Sequence, residues 1–214
     1  MNIKKSLGIP LCCVFVPGIV GWLVNKLAMS VLGYNQIGYA IFWLILNLFV
    51  CFGLFYAYRR KNILLNNIGT IASIVGIIIY GLFAINNAIH LFSDFNLFGF
   101  WGNYSSVILE IIVAFCIAGF LFGSKAWLPI KIVGTLSYVP SIIAGFIIAK
   151  LPFAYDLCEN TGDYSLINKM SDAIILSDMF VLILSLCALI LTIVWIKSNK
   201  LQHTTKNKQT LDII

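Results

Sequence analysis

Charge is scarce in this chain. Only 10% of its 214 residues are Asp, Glu, Lys or Arg, against about a quarter in a water-solvated domain. Too few ionised groups exist to cover a soluble globule. Histidine is scarcer still. His90 and His203 are the only two, and they build neither a multi-histidine metal site nor a haem held between helices. None of the 6 cysteines forms a CxxC pair, which removes a zinc site and a dithiol redox centre. HExxH, GxSxG and Walker sequences are missing too. No cofactor or metal is expected, and ATP energy would have to come from a partner. No stretch alternates apolar and polar residues over ten positions, so a membrane β-barrel is excluded.

What is abundant is apolar. Hydrophobic residues make up 61% and aromatics 14%, and the mean hydropathy is +0.98. The aromatic share also excludes a disordered chain. A lipid-spanning helix needs about 20 apolar residues, and six stretches qualify: 7–24, 37–58, 68–91, 107–122, 128–149 and 173–196. In lipid the backbone must satisfy its own hydrogen bonds. The expected fold is therefore all-α, a polytopic six-helix bundle, with a transmembrane domain over 1–197 and a polar cytoplasmic tail over 198–214.

Basic residues orient the spans. Lys4 and Lys5, the run Arg59, Arg60 and Lys61, then Lys125 and Lys131, and the tail lysines 197, 200, 206 and 208 fall at one side. Lys26, Lys150 and Lys169 fall at the other, beside Asp94, Asp156, Glu159, Asp163 and Asp172. Both termini should face the cytoplasm, with the protein in the cell membrane. The net charge of +6 follows from this topology, so no nucleic-acid partner is implied. Trp22, Trp101, Trp127 and Trp195 fall at span boundaries, as an interfacial belt requires, and only Trp43 sits inside a span. The first span lacks a small-x-small cleavage site, so it reads as a retained helix.

Two connections on the acidic side have some length. Residues 92–104 are rich in aromatics and Gly. Residues 150–172 are polar and contain Cys158, the one cysteine outside a predicted span. The triplet Asn103-Tyr104-Ser105 abuts a span and reads as a chance match to a glycosylation site. Pro17-Gly18 and Pro140 break the first and fifth spans, positions that do not correspond in an inverted repeat.

Small residues allow close helix approach in lipid. Gly69 and Gly76 mark one face of the third span. Ala114, Ala118, Gly119 and Gly123 do so in the fourth, and Ser137, Ser141, Gly145 and Ala149 form a four-residue stripe in the fifth. These read first as packing positions. Ionisable or amide groups inside a span are costly and are candidate functional residues. They are Glu110, Asp178, Asn86, Asn87 and His90, all in the outer half. Glu110 shares a face with Ala114 and Ala118, and Asn87 shares one with Gly76 and Gly69, so both should point into the bundle. The expectation is a polar cavity open to the outside, with Glu110 central and Asn86, Asn87, His90 and Asp178 around it. The competing reading makes these residues, like mid-span Asn47, hydrogen-bonding ties between helices.

Three function classes follow. A small binding or transport-type subunit would take a small-molecule ligand into the outer cavity, and crossing the apolar inner half would need a partner or a homo-oligomer. A non-catalytic accessory, assembly or immunity protein would instead use the small-residue stripes against another membrane protein. An intramembrane enzyme ranks last, because no nucleophile sits near Glu110 and His90. The lipid bilayer is the one partner common to all three.

Overall fold

The computed structural model describes the backbone of residues 3–27, 36–93 and 104–211, and the side chains of 3–24, 37–93, 104 and 107–198. The aromatic run 95–101, Asn103, the side chain of Lys26 and the tail side chains beyond 198 lie outside the described residues. The elements are α1 (Ile3–Leu27), α2 (Gln36–Arg59), α3 (Lys61–Leu64), α4 (Asn67–Ile89), α5 (Ser105–Gly123), α6 (Leu128–Leu136), α7 (Val139–Thr161) and α8 (Ser165–Leu211). No strand occurs among the described residues; one isolated bridge joins Leu65 and Ser124.

Local chemistry explains the boundaries. Asn66 caps α4, its side-chain oxygen accepting the Gly69 N–H at 2.9 Å. Pro140 lies in the first turn of α7, where its missing donor costs nothing. The same proline has no N–H for the Leu136 carbonyl and its ring would crowd that group, and the chain breaks at Ser137–Tyr138. Gly162 ends α7 with φ 71°, a left-handed conformation that glycine adopts freely. Pro10 and Pro17 stay inside α1 without ending it.

Among the described residues five segments are long and apolar enough to cross a bilayer: Ile3–Val24, Ile37–Arg59, Asn67–Ile89, Leu128–Thr161 and Ser165–Ser198. They make the chain a multi-pass integral membrane protein. The apolar part of α5, Val107–Gly123, is shorter. The outward faces suit lipid. On α4, Ile71, Ile78 and Ile85 are 62%, 57% and 54% exposed, whereas Gly69, Ala72, Ser73, Gly76, Tyr80 and Ala84 are buried. Seven-residue spacing keeps each set on its own side of the helix.

The rods close into a ring. α1 packs on α2, α2 on α4, α4 on α5, α5 on α7, α7 on α8, and α8 returns to α1, with α6 wedged against α8 and α5. At one end of the ring the basic residues gather. Lys4 donates to Ser198 Oγ at 3.0 Å and lies over the Trp195 ring. Arg60 donates to Ser6 Oγ at 3.3 Å and covers Tyr56. The start of α1 and residue 198 therefore lie at the same end. Inside that end, Leu7, Leu11, Phe15, Leu54, Ile117, Phe120 and Leu121 are wholly buried and form an apolar plug.

Two connections differ from the sequence expectation. The polar segment 150–172 is helical except for the turn at 162–164, because α7 runs to Thr161 and α8 starts at Ser165. Polar composition marks exposure and does not separate an exposed helix from a loop. Cys158 accordingly lies within α7 and is 1% exposed. The small-residue stripe of the fifth span is not one continuous helix, since Ser137 caps α6 ahead of the break. The backbone of α8 continues helically past Ser198 to Leu211.

Candidate functional site

The ring is plugged at its basic end and hollow towards the other. A cavity of about 590 Å³ lies between the rods, with walls from α1, α2, α4, α5, α7 and α8 and from the break before α7. Each rod contributes residues spaced by one or two helical turns. α4 supplies Tyr80, Phe83, Asn86 and Asn87, α5 supplies Glu110, and α8 supplies Asp178 and Ser185. α1 contributes Pro17, Gly18, Gly21 and Trp22, and α2 contributes Tyr39, Trp43 and Asn47.

Two glycines of α1 set how closely its neighbours approach. A Cβ on Gly18 would stand 2.6 Å from Ser185 Oγ, and one on Gly21 would stand 3.1 Å from the Trp43 ring. The indole of Trp43 therefore lies against α1, with Tyr39 edge-on to it at 6.0 Å between centroids.

Hydrogen bonds lock part of the wall. The Tyr80 hydroxyl donates to that of Tyr138, and Tyr138 donates in turn to the Val14 carbonyl at 3.3 Å. This relay ties α4 and the α6–α7 break to α1. Asn87 donates to the Phe83 carbonyl at 2.9 Å, holding its amide against its own helix. The Trp22 and Trp43 indole N–H groups are buried and have no hydrogen-bond partner. Such orphaned donors are uncommon in a packed interior.

The electrostatics are one-sided. Glu110 and Asp178 are the acids of the described wall, close enough for their charges to repel each other, and among the described residues no Lys, Arg or His lines the cavity. Glu110 makes no ion pair or hydrogen bond among the described residues. The described wall thus combines two carboxylic acids with aromatic residues and no basic side chain. No group of three or more His, Cys, Asp or Glu side chains comes together among the described residues.

Of the residues nominated from sequence, Glu110, Asn86, Asn87 and Asp178 all line this one cavity. His90 does not. α4 ends at Ile89 and His90 forms its C-cap, one turn beyond Asn86 and past the wall. Asn47, read as a possible inter-helix tie, borders the cavity as well. Among the packing positions, a Cβ on Gly69 would meet the backbone of Gly123 at 2.8 Å, one on Gly76 would meet Leu54, and one on Gly119 would meet Ala72. Ala114 and Ala118 are half-buried, and Ser137, Ser141 and Gly145 have the cavity on one side.

Sequence reasoning missed the aromatic wall. Trp22 borders the cavity where an interfacial belt was expected, because distance along a helix gives depth and not direction. Tyr80 carried a usable signal, seven residues before Asn87 and four after Gly76 on one face. No family model, curated protein or solved structure matches the chain.

Proposed function

We propose that this chain is a small binding or transport-type subunit of the cell membrane, which admits a small-molecule ligand from outside into the cavity between its helices. The chain crosses the bilayer six times in this reading, with both termini in the cytoplasm. The sixth crossing is α5, whose 19 residues span about 28 Å, close to a hydrocarbon core of about 30 Å. The basic end of the ring is the cytoplasmic one, which places the cavity in the outer half and the apolar plug in the inner half.

The observation that carries this reading is the convergence of Glu110, Asn86, Asn87 and Asp178, from three separate helices, on one cavity of about 590 Å³. A wall of polar groups around a space of small-molecule size is what a ligand site requires. The plug blocks a through-path, so passage to the cytoplasm takes a partner subunit, a second copy or a rearrangement of the rods.

Two measurements test the proposal. Tags on the two termini should both be reached only from the cytoplasmic side. In lipid nanodiscs, a panel of cationic, anionic and neutral small molecules should contain binders that raise the unfolding temperature of the wild type, and Asn87→Ala and Glu110→Gln should reduce that rise. Binders whose effect is the same in the wild type and both variants would place binding elsewhere.

One observation favours the accessory-protein reading. A Cβ on Gly81 of α4 would meet nothing within 4 Å, a gap that a partner helix can fill. That reading predicts loss of a co-purifying membrane protein on Gly81→Leu and none on Glu110→Gln.

A further inference from the structure

The chemistry of the cavity wall narrows what the site takes, given the reading of it as a ligand site. Among the described residues six aromatics border it: Trp22, Tyr39, Trp43, Tyr80, Phe83 and Tyr138. They come from four different parts of the ring, so rings flank the space on several sides. Two carboxylic acids share the wall, and no basic side chain does among the described residues. An anionic ligand would meet like charge on that part of the wall. A neutral apolar ligand would displace water from Glu110 and supply no partner in return, which is costly for a buried charge.

A small inorganic cation fits poorly as well. Calcium needs six to eight oxygen ligands and magnesium near-octahedral ones. Aromatic and aliphatic side chains outnumber oxygen donors on this wall, and no cluster of three metal-ligating side chains is present among the described residues. Ring faces suit a cation of another kind, an ammonium or quaternary ammonium whose charge is spread over C–H groups. The indole N–H groups of Trp22 and Trp43, buried and without a hydrogen-bond partner, add a second demand. They are closed off from the cavity itself, and an acceptor oxygen on the same ligand meets that demand once the rings turn towards it.

We propose that the cavity binds a small organic cation carrying a hydroxyl or carbonyl oxygen, with the cation between Glu110 and the aromatic rings and the oxygen accepting from the indoles of Trp22 and Trp43. Glu110 supplies the charge, the rings exclude ions that keep their water, and the indoles select ligands with an acceptor. The volume, about 590 Å³, lies within the usual range of small-molecule pockets, about 300–1,000 Å³.

The test uses the full-length protein in nanodiscs of neutral lipid, followed by intrinsic tryptophan fluorescence and calorimetry. The probes are choline, its uncharged isostere with carbon in place of nitrogen, tetraethylammonium, acetate and calcium chloride. Choline should bind at least about tenfold more tightly than the isostere, as one desolvated cation–π and charge contact implies. It should also bind more tightly than tetraethylammonium, which lacks the oxygen. Glu110→Gln should bring choline and the isostere to similar affinity, and Trp43→Leu should weaken choline several-fold.

The choline-to-isostere ratio is read on the wild type, so a variant that fails to fold does not remove the test. Equal binding of choline and isostere, or preferential binding of acetate or calcium, overturns the organic-cation inference while leaving a ligand cavity in place. Silence from all five probes overturns this inference alone. Loss of the broader reading requires the whole neutral, anionic and cationic panel to be indifferent to Asn87 and Glu110.

Discussion

Gly69→Ala tests the closest helix contact in the ring. The added methyl would stand 2.8 Å from both the carbonyl carbon and oxygen of Gly123. Ordinary contact begins near 3.4 Å, so α4 and α5 must part by roughly 0.6 Å. The obstacle is backbone, which cannot rotate aside as a flexible side chain would. Separation also strains the neighbouring bonds that join the two helices, Asn66 N–H to Gly123 O at 2.8 Å and Lys125 N–H to Leu64 O at 3.0 Å. Overpacking of this kind costs about 1–3 kcal/mol. Weakening one hydrogen bond adds about 1 kcal/mol, and the better helix propensity of alanine returns up to about 1 kcal/mol. The net expectation is a loss of about 1–3 kcal/mol. Unfolding in bicelles followed by far-ultraviolet circular dichroism measures it. Gly81→Ala is the internal control: its methyl meets nothing within 4 Å, so it should be neutral or stabilise by up to about 1 kcal/mol. Gly69→Ala and Gly123→Ala together should cost less than their sum, because the first already parts the helices. If Gly69→Ala proves as stable as Gly81→Ala, the close approach of α4 and α5 is wrong.

The Tyr80–Tyr138–Val14 relay and the α7–α8 turn give two further expectations. Tyr138→Phe removes both the acceptor for Tyr80 and the donor to Val14, and should cost about 1–3 kcal/mol; Tyr80→Phe, which spares the bond to Val14, should cost less, and the same unfolding experiment ranks them. At the turn, the Asp163 carboxylate accepts the Ser165 backbone N–H at 2.9 Å. That bond, helped by the Ser165 side chain, holds its pKa below the ordinary aspartate value. The stabilisation of the turn is therefore complete above the ordinary aspartate range and is lost as the pH falls through the lowered value. Carboxyl-carbon NMR of Asp163 should show the low midpoint in the wild type, and Ser165→Pro, which deletes the donor, should raise it; an unchanged midpoint would rule out this cap.

The bundle and its hollow differ in how far the sequence alone discloses them. Length and apolarity are properties of contiguous residues, so the long membrane helices could be read directly from the chain, and so could the gathering of Lys4, Arg60 and Lys125 at one end of the bundle. Polar residues in apolar spans are conspicuous in the same way, which is why Glu110, Asn86, Asn87 and Asp178 could be nominated without coordinates. Three things depended on direction around a helix and on the order of helices in the ring. Trp43 lies against α1 because Gly21 leaves room there, His90 falls beyond the wall because α4 ends one residue earlier, and segment 150–172 coils into helices that composition does not distinguish from loop. Local sequence sets how greasy a segment is and how deep each group lies. Only the closing of the ring decides which side chains share a space, because that depends on contacts between residues far apart in the chain.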